Sequence, residues 1–580
     1  MNAPSRGASL SATTMRYTGW LREPMRRSRM RTIALCSPVA RKGLYCSLTF
    51  SAGVAWSNCM PNAMEKQHQP AHLLIEHVDL LDADAPRGIA TDRTIWIAGN
   101  RIRRIAPAHA LNLGALLQSG VRGNIEVING RGLFAIPGLV SAHTHSPENY
   151  MRGATERMPL EPWLVWLYGT CGEYTARDHY LCAAMSAIEM LLSGVTASLD
   201  HLWHGGPWQR EYLDATMQAY RDAGIRAAVA PMFDDHDYVL DVADALGHDL
   251  RGSVYGQSHG GYRPDRDDYR RAVLHENLAM FDAWMRDWHG SEEGRLQTFL
   301  GPAAGQLVTE ECLQASLALA RKYGAGVHMH CVETRVQDYC IRQVRGKRLV
   351  PWLAEIEVLA PELSLPHSVW VRDPADLDLL AEHGAVPVHN PAANLKLGSG
   401  LMPLRAMLDR RITVALGVDG ACSSDNQNLF DAIKLAALIH NVGDHDPKTW
   451  ITAREAFEMA TLGGAAALLL RGQLGALREG WLADVVLLDL NTPVLAPYND
   501  AYGMLVHCET GQSVRHVIVN GRVVVRDRQL LTLDVADLVA EFNERVQRLP
   551  FRQPLDPKTQ DDIARCWRFW WDVMARVMQG

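Results

Sequence analysis

The chain has no CxxC pair, and its 11 cysteines are odd in number. A disulfide framework is not expected, and this cysteine usage fits a reducing cytoplasm. Charge of one sign is also scarce. The formal net charge is −7 over 580 residues, which leaves no basic footprint for nucleic acid. Beyond residue 70 no apolar run is a candidate to span a membrane. What remains is ordinary globular composition, 47% hydrophobic and 21% charged, long enough to bury a large core without staples.

Residues 1–70 differ. The stretch "MRRSRMRTIALCSPVARKGLYC" is rich in Arg and Ser and nearly free of acid. Three readings fit it: an upstream start-site extension with a start near Met60 or Met64, a disordered basic tail, or a targeting signal. It is set aside from fold reasoning.

From residue 71 the text reads as short strands. "HLLIEHVDLLD" is followed by "RTIWIAGNRIRRIAP", with Gly99-Asn100 as a hairpin turn. The texture returns at "GWLADVVLLDL" (480–490) and "SVRHVIVNGRVVVRDRQL" (513–530). Residues 71–137 and 475–530 are expected to build one small composite β-sandwich domain from both ends. Between them, 138–474 alternates strand-like and helix-like runs. The strands are "FAIPGLVSAH", "VTASLDHL", "IRAAVAPMF", "LQTFLGP", "GAGVHMHC", "HSVWVR", "GAVPVHNP" and "ITVALGVD". Eight of them with intervening helices predict an α/β fold of the (β/α)8 barrel type. The long 234–295 connection, with its Gly/Ser/Asp-rich centre, reads as a candidate lid. Residues 531–580 read as a helical segment whose "CWRFWWDV" packs on the barrel or on another subunit.

Barrel active sites sit at the C-terminal ends of the strands. Here those ends carry His143 and His145, His328, His330 and Glu333, His389 and Asn390, and Asp419, while the sixth strand begins with or contains His367. With 23 histidines in the chain, isolated coincidences are expected, but five of eight strands ending this way are not. Closing the barrel gathers His143, His145, His330 and Asp419. Three imidazoles and a carboxylate suit one divalent ion, Zn²⁺ or Fe²⁺. Such an ion lowers the pKa of water to near neutral. Glu333, three residues past His330, is the candidate proton shuttle. His367 is a candidate to hold or polarise the nucleophile, and Asp419 can both ligate and accept a proton. For Glu333 the competing reading is a solvated carboxylate at a helix start.

The motifs "IPGLVSAHTH", "GVTASLDHL", "HMHCVET", "HNPAANLKLGSG", "GVDGACSSDNQNLFDA" and "GALREGWLADVVLLDL" closely resemble the amidohydrolase superfamily. The nearest pattern is the branch with S-adenosylhomocysteine/methylthioadenosine deaminases, cytosine and guanine deaminases and s-triazine hydrolases. The resemblance covers residues 72–530. It implies a mononuclear site ligated by His143, His145, His330 and Asp419, with Glu333 as shuttle and His367 near the nucleophile. It also implies a dimer or higher homo-oligomer. The lysine of binuclear relatives is absent from "LQTFLGP", in line with one metal. By resemblance Trp163 matches a pocket tryptophan, and Glu173 a sugar-binding glutamate with a one-residue slip. These two, with His328, His389 and Asn390, are the candidate substrate contacts.

Departures from the pattern bear on the substrate. Where nucleoside deaminases of this branch carry a "PHAPY"-like motif, this chain has "GPAAGQ", with Ala303 and Ala304. The arginine expected after strand 3 is missing from "APMFDDHD". Both losses argue against an adenosine-type substrate. Pro366 and Trp370 alter the surroundings of His367. Glu148 and Asn149, in the first loop, have no clear counterpart and are expected to help read the substrate. The function expected is a metal-dependent hydrolase of C–N bonds in a nitrogen heterocycle, a deaminase releasing ammonia or an amine. The alternatives are an s-triazine chlorohydrolase, hydrolysis of a cyclic or acyclic amide, and a silent barrel that only binds.

Overall fold

The computed structural model describes residues 71–253, 267–443 and 445–579. The basic segment 1–70 and the centre of the 234–295 connection lie outside the described residues, so the readings made of them have no structural counterpart here.

Seven of the eight strand regions expected in 138–474 contain parallel strand, and the remaining strand lies just before the region expected for it. Leu139–Thr144, Val195–Leu202, Arg226–Phe233 and the short pieces Leu296–Thr298 and Gly301–Pro302 form one parallel sheet. Val327–His328, Leu363–Pro366, Val386–His389 and Ala415–Leu416 form a second. Parallel bridges Leu300↔Val327 and Ala304↔His330 join the sheets on one side. On the other, Asp419 N–H donates to His143 O at 3.0 Å. The longer strands are buried along nearly their whole length, as expected of parallel sheets covered by helices. Helices lie between the strands. Ala176–Leu192 starts on a Thr175/Asp178 capping box. Arg210–Ala223 and Glu310–Tyr323 each end on a left-handed glycine, Gly224 and Gly324.

Two strand expectations need correction. "FAIPGLVSAH" is two strands. Leu133–Pro137 pairs antiparallel with Val485–Asp489, and only Leu139–Thr144 enters the parallel sheet. The switch falls at Gly138, where a Cβ would lie 2.0 Å from Thr196 Oγ1. In the sixth unit the strand is Leu363–Pro366, not "HSVWVR". His367 and Ser368 have φ of +70° and +45°, which no strand accommodates. The β-branched texture of "VWV" suggested a strand where the chain in fact turns.

The two ends of the chain meet in one nine-stranded sheet, built from 72–137 and 485–530. Its hairpin turns at Gly99-Asn100 and Asn520-Gly521 touch: a Cβ on Gly521 would sit 2.0 Å from Gly99 O. Arg226 ties this sheet to the parallel one. Its guanidinium donates to both Asp484 oxygens, at 2.9 and 3.1 Å, and to Asn520 Oδ1 at 2.9 Å. Both partners are buried.

The C-terminal segment forms helices Val535–Val546 and Pro557–Gln579. Phe542 stacks on Tyr150 with ring centres 4.4 Å apart. Phe569, Cys566 and Val573 pack with Val165 of helix Leu160–Thr170. Of the aromatics in "CWRFWWDV", Phe569 is buried while Trp571 is 62% exposed. Among the described residues no helix is long and apolar enough to cross a membrane.

Removing one partner of a buried ion pair strands the other charge. Asp484→Ala is expected to lower unfolding stability by about 3–5 kcal/mol, read as a shift of the urea midpoint. Glu544→Ala, which removes the exposed partner of Arg548, is expected to change it by less than about 1 kcal/mol.

Candidate active site

The strand ends bring five imidazoles and two carboxylates into one buried cluster. His145 Nε2 lies 3.2 Å from His330 Nε2. His143 Nε2 and His145 Nε2 each lie 3.6 Å from Asp419 Oδ1. His143, His145 and Asp419 form one of the groupings whose ligand atoms lie within 4.8 Å of one another. The opposite ring nitrogens are occupied. His145 Nδ1–H donates to His201 O, and His330 Nδ1–H to Ala303 O, both at 2.6 Å. A carbonyl only accepts, so each of these rings, when neutral, carries its lone pair on Nε2. For His143 the same follows through two links. The Ser364 hydroxyl donates to Val327 O and accepts from His328 Nδ1 at 2.6 Å, so His328 Nε2 accepts from His143 Nδ1 at 2.8 Å. His143 Nε2 is buried with no hydrogen-bond partner. Burial, reinforced by neighbouring imidazoles, holds the pKa of His143, His328 and His330 well below the usual value. Neutral rings with inward lone pairs beside a carboxylate are a donor set that fits a divalent ion.

A second layer faces this cluster. His367 Nε2 lies 3.6 Å from Glu333 Oε2 and 3.7 Å from Asp419 Oδ2. Its Nδ1–H donates to Asn394 Oδ1 at 2.9 Å, which orients the ring. Glu333 accepts from Ser399 Oγ at 2.8 Å, and its backbone N–H donates to Gln337 Oε1 at 2.7 Å. Burial pushes the Glu333 carboxyl above its ordinary pKa, with His367 opposing and Asp419 adding to the rise. The carboxyl is thus suited to exchanging a proton rather than staying a fixed anion. Val332, His367, Ser368 and Asp419 all have positive φ, so backbone strain is concentrated at this point.

A cavity of about 650 Å³, counting its mouth, opens beside the cluster. His145, His330, Glu333, His367 and Asp419 line it, as does Trp163. Four residues expected at the substrate stand away from it. His328 lies behind His143. His389 lies 3.3 Å from His440, nitrogen to nitrogen. Asn390 Nδ2 approaches His367 Nδ1 at 3.5 Å. Glu173 is exposed. Of the two loop residues, Asn149 turns away and donates to Ser186 Oγ and Ser146 O. Glu148 does line the cavity, but its Oε2 accepts from the Cys422 and Ser423 N–H groups. Burial raises its pKa to about 7.

Sequence reasoning missed His201, Ser399, Asn394, Trp203 and Gln306. His201 ends strand Val195–Leu202, and its ring centre lies 4.6 Å from that of His330. The strand-end rule that found the other histidines would have found it. Ser399 and Asn394 lay in the quoted "HNPAANLKLGSG", but no spacing marks which of its polar residues turn inward.

The amidohydrolase family model matches residues 134–524. A 5-methylthioadenosine/S-adenosylhomocysteine deaminase of Caldanaerobacter subterraneus subsp. tengcongensis is 31% identical over 479 residues, 82% of this chain and 98% of that one. A 5'-deoxyadenosine deaminase of Methanosarcina mazei is 31% identical over 427 residues, 73% of this chain and 89% of that one. The structure is similar to that of an atrazine chlorohydrolase of Arthrobacter aurescens complexed with zinc. That match has a TM-score of 0.70 and 26% identity, and covers 82% of this chain and 100% of the other. A zinc-bound neighbour and the imidazole cluster together support one divalent metal. With the family model matching about two thirds of its length, the chain belongs to the amidohydrolase family.

Proposed function

We propose that this chain is a metal-dependent hydrolase that removes ammonia or an amine from a ring carbon of a nitrogen heterocycle. Membership of the amidohydrolase family and relatives named as deaminases support hydrolysis of a non-peptide C–N bond. The observation that carries the reading is the set of inward Nε2 lone pairs beside Asp419, with Glu333 and His367 facing them. The proposed architecture is a (β/α)8 barrel over residues 138–474, with a composite β-sandwich from 71–137 and 475–530 and a helical segment 531–580. The parallel sheets joined at both edges support the barrel. The working form is proposed to be a cytoplasmic homo-oligomer.

In this reading His143, His145, His330 and Asp419 hold one divalent ion, Zn²⁺ or Fe²⁺. When bound, the ion supplies Lewis acidity that makes water nucleophilic near neutral pH. The protein supplies the proton path. Glu333 takes a proton from the attacking water and passes it to the ring nitrogen beside the carbon under attack. A C–O bond forms there. Glu333 then takes the proton of the new C–OH group and delivers it to the departing amine as the C–N bond breaks and the carbonyl forms. His367, oriented by Asn394, hydrogen-bonds the attacking oxygen beside Glu333. Trp163 walls the substrate. A leaving amine needs that proton and a leaving chloride does not; the preference for deamination rests on the relatives named as deaminases.

Glu333→Gln is expected to keep its metal, measured by inductively coupled plasma mass spectrometry, and to lose about 10²–10⁴-fold in kcat. Retention of near-normal turnover would remove Glu333 from the mechanism. His330→Ala is expected to bind less than about half an equivalent of metal, since one of the four donors is gone. Chelation of the native protein is expected to abolish ammonia or amine release, and added Zn²⁺ or Fe²⁺ to restore it. Activity that survives chelation would contradict the reading.

A further inference from the structure

Glu161 is a buried carboxyl that the proton path above does not use. It lies on helix Leu160–Thr170, which also gives Leu160, Trp163, Leu164 and Leu167 to the cavity wall. Its side chain is buried, with the residue 2% exposed. One oxygen, Oε1, accepts from the Thr334 hydroxyl. The other, Oε2, is buried without a hydrogen-bond partner. Among the described residues no cation pairs with it. The groups that act on it are Thr334, its own backbone N–H and Glu333, and the buried thiols of Cys340 and Cys566 lie within its field. Burial pushes its pKa up to about 7, so the uncharged acid is well populated near neutral pH. A buried carboxyl with no cation and one unpaired oxygen is costly and needs an explanation.

The explanation lies in what its one bond holds. Thr334 follows Glu333 directly and is the N-cap of helix Arg335–Arg345. The hydroxyl gives its single proton to Glu161, and the same oxygen accepts from Gln337 N–H at 3.2 Å. Gln337 Oε1 in turn accepts the Glu333 N–H at 2.7 Å. Glu333 is thus held between this cap and Val332, whose φ is +31°. A strained bend persists only where its surroundings over-determine it. Loosening the cap would let the bend relax and carry the Glu333 carboxyl away from His367, which it approaches at 3.6 Å. Ser399 holds the carboxyl end of Glu333, and the cap holds its backbone. We propose that Glu161 is a positioning residue for the Glu333 carboxyl and acts through the Thr334 hydroxyl. This rests on the hydrolase reading above, in which Glu333 is the proton shuttle, and adds the group that fixes its place.

The test uses the full chain loaded with zinc. Amide exchange of residues 333–337 is followed by mass spectrometry. Release of ammonia or amine from two probes, an N-alkylated amino-s-triazine and 5'-deoxyadenosine, gives kcat and KM. Glu161→Leu is expected to speed exchange at 333–337 about ten-fold. It is expected to lower kcat about 10–100-fold, the cost of a misplacement of about 1 Å. KM is expected to change by less than about three-fold, with metal content retained. Glu161→Gln, whose amide oxygen can accept from Thr334, is expected to restore both exchange and kcat. Thr334→Val is expected to show the same losses as Glu161→Leu, and combining the two to cost no more than about two-fold further. A merely structural role for Glu161 would not be relieved by glutamine, and its losses would multiply with those of Thr334→Val. The proposal is overturned by that pattern, or by unchanged exchange at 333–337 in Glu161→Leu. Where Glu161→Leu fails to fold, Thr334→Val tests the same bond from its other end. Unchanged exchange and kcat there overturn the proposal, and losses relieved in Thr334→Ser support it. The expected exchange pattern in a native chain that releases nothing from either probe would count against the hydrolase reading and leave the Glu161–Thr334 link in place.

Discussion

The centre of the molecule depends on hydrogen bonds made on its far side. An imidazole that donates from one nitrogen presents a lone pair on the other. The carbonyls of His201 and Ala303 receive the Nδ1–H groups of His145 and His330, and a relay through His328 to Ser364 does the same for His143. These acceptors lie on neighbouring strand ends, so inter-strand register fixes donor geometry. A one-residue slip of strand Val195–Leu202 would turn its side chains to the opposite face and remove the His201 carbonyl from His145. Burial completes the arrangement. Low pKa values keep His143 and His330 neutral, so their lone pairs are not lost to protons.

Such convergence has a backbone cost. Val332, His367, Ser368 and Asp419 have φ of +31°, +70°, +45° and +65°, each worth about 1–3 kcal/mol of strain. None is glycine, so no sequence signal announces the strain. The bends turn the chain just where strands end and side chains must face the cluster. Main-chain bonds hold them in place: His367 N–H to Val388 O at 2.8 Å, Ser368 N–H to Cys331 O at 2.9 Å, and Trp370 N–H to Val332 O at 3.1 Å. Each crosses from one strand unit to the next, so the strained residues are over-determined by the sheet. The same bends explain why "HSVWVR" misled as a strand.

The cluster of imidazoles and carboxylates was largely legible in the sequence because it obeys a positional rule. Polar residues at the ends of buried strands have few reasons to be there, and His143, His145, His330, Glu333 and Asp419 could be picked out on that ground, whereas His367 was read at the start of a strand that in fact ends just before it. The rule also drew in His328, His389 and Asn390, which stand one layer back, because period-two alternation does not say how deep a side chain sits. Glu173 came from similarity alone, and the structure leaves it on the surface. Asn394 and Ser399 escaped notice because they sit in an irregular segment, where side-chain direction is set by tertiary contacts rather than by periodicity.

The cavity wall follows a different logic. Trp163 and three of the wall leucines lie on helix Leu160–Thr170, outside the strands. That helix is backed by the last helix of the chain, Pro557–Gln579, through Val165 against Phe569, Cys566 and Val573. Gly169 sits close enough to Thr559 that a Cβ would come within 2.7 Å of its methyl. On the cavity side, Thr334 hydrogen-bonds the buried Glu161 and so couples this helix to the loop carrying Glu333. The wall is thus positioned by packing between segments some 400 residues apart in the chain, while the reactive atoms are positioned by strand register. Register leaves a periodic trace in a sequence and long-range packing does not.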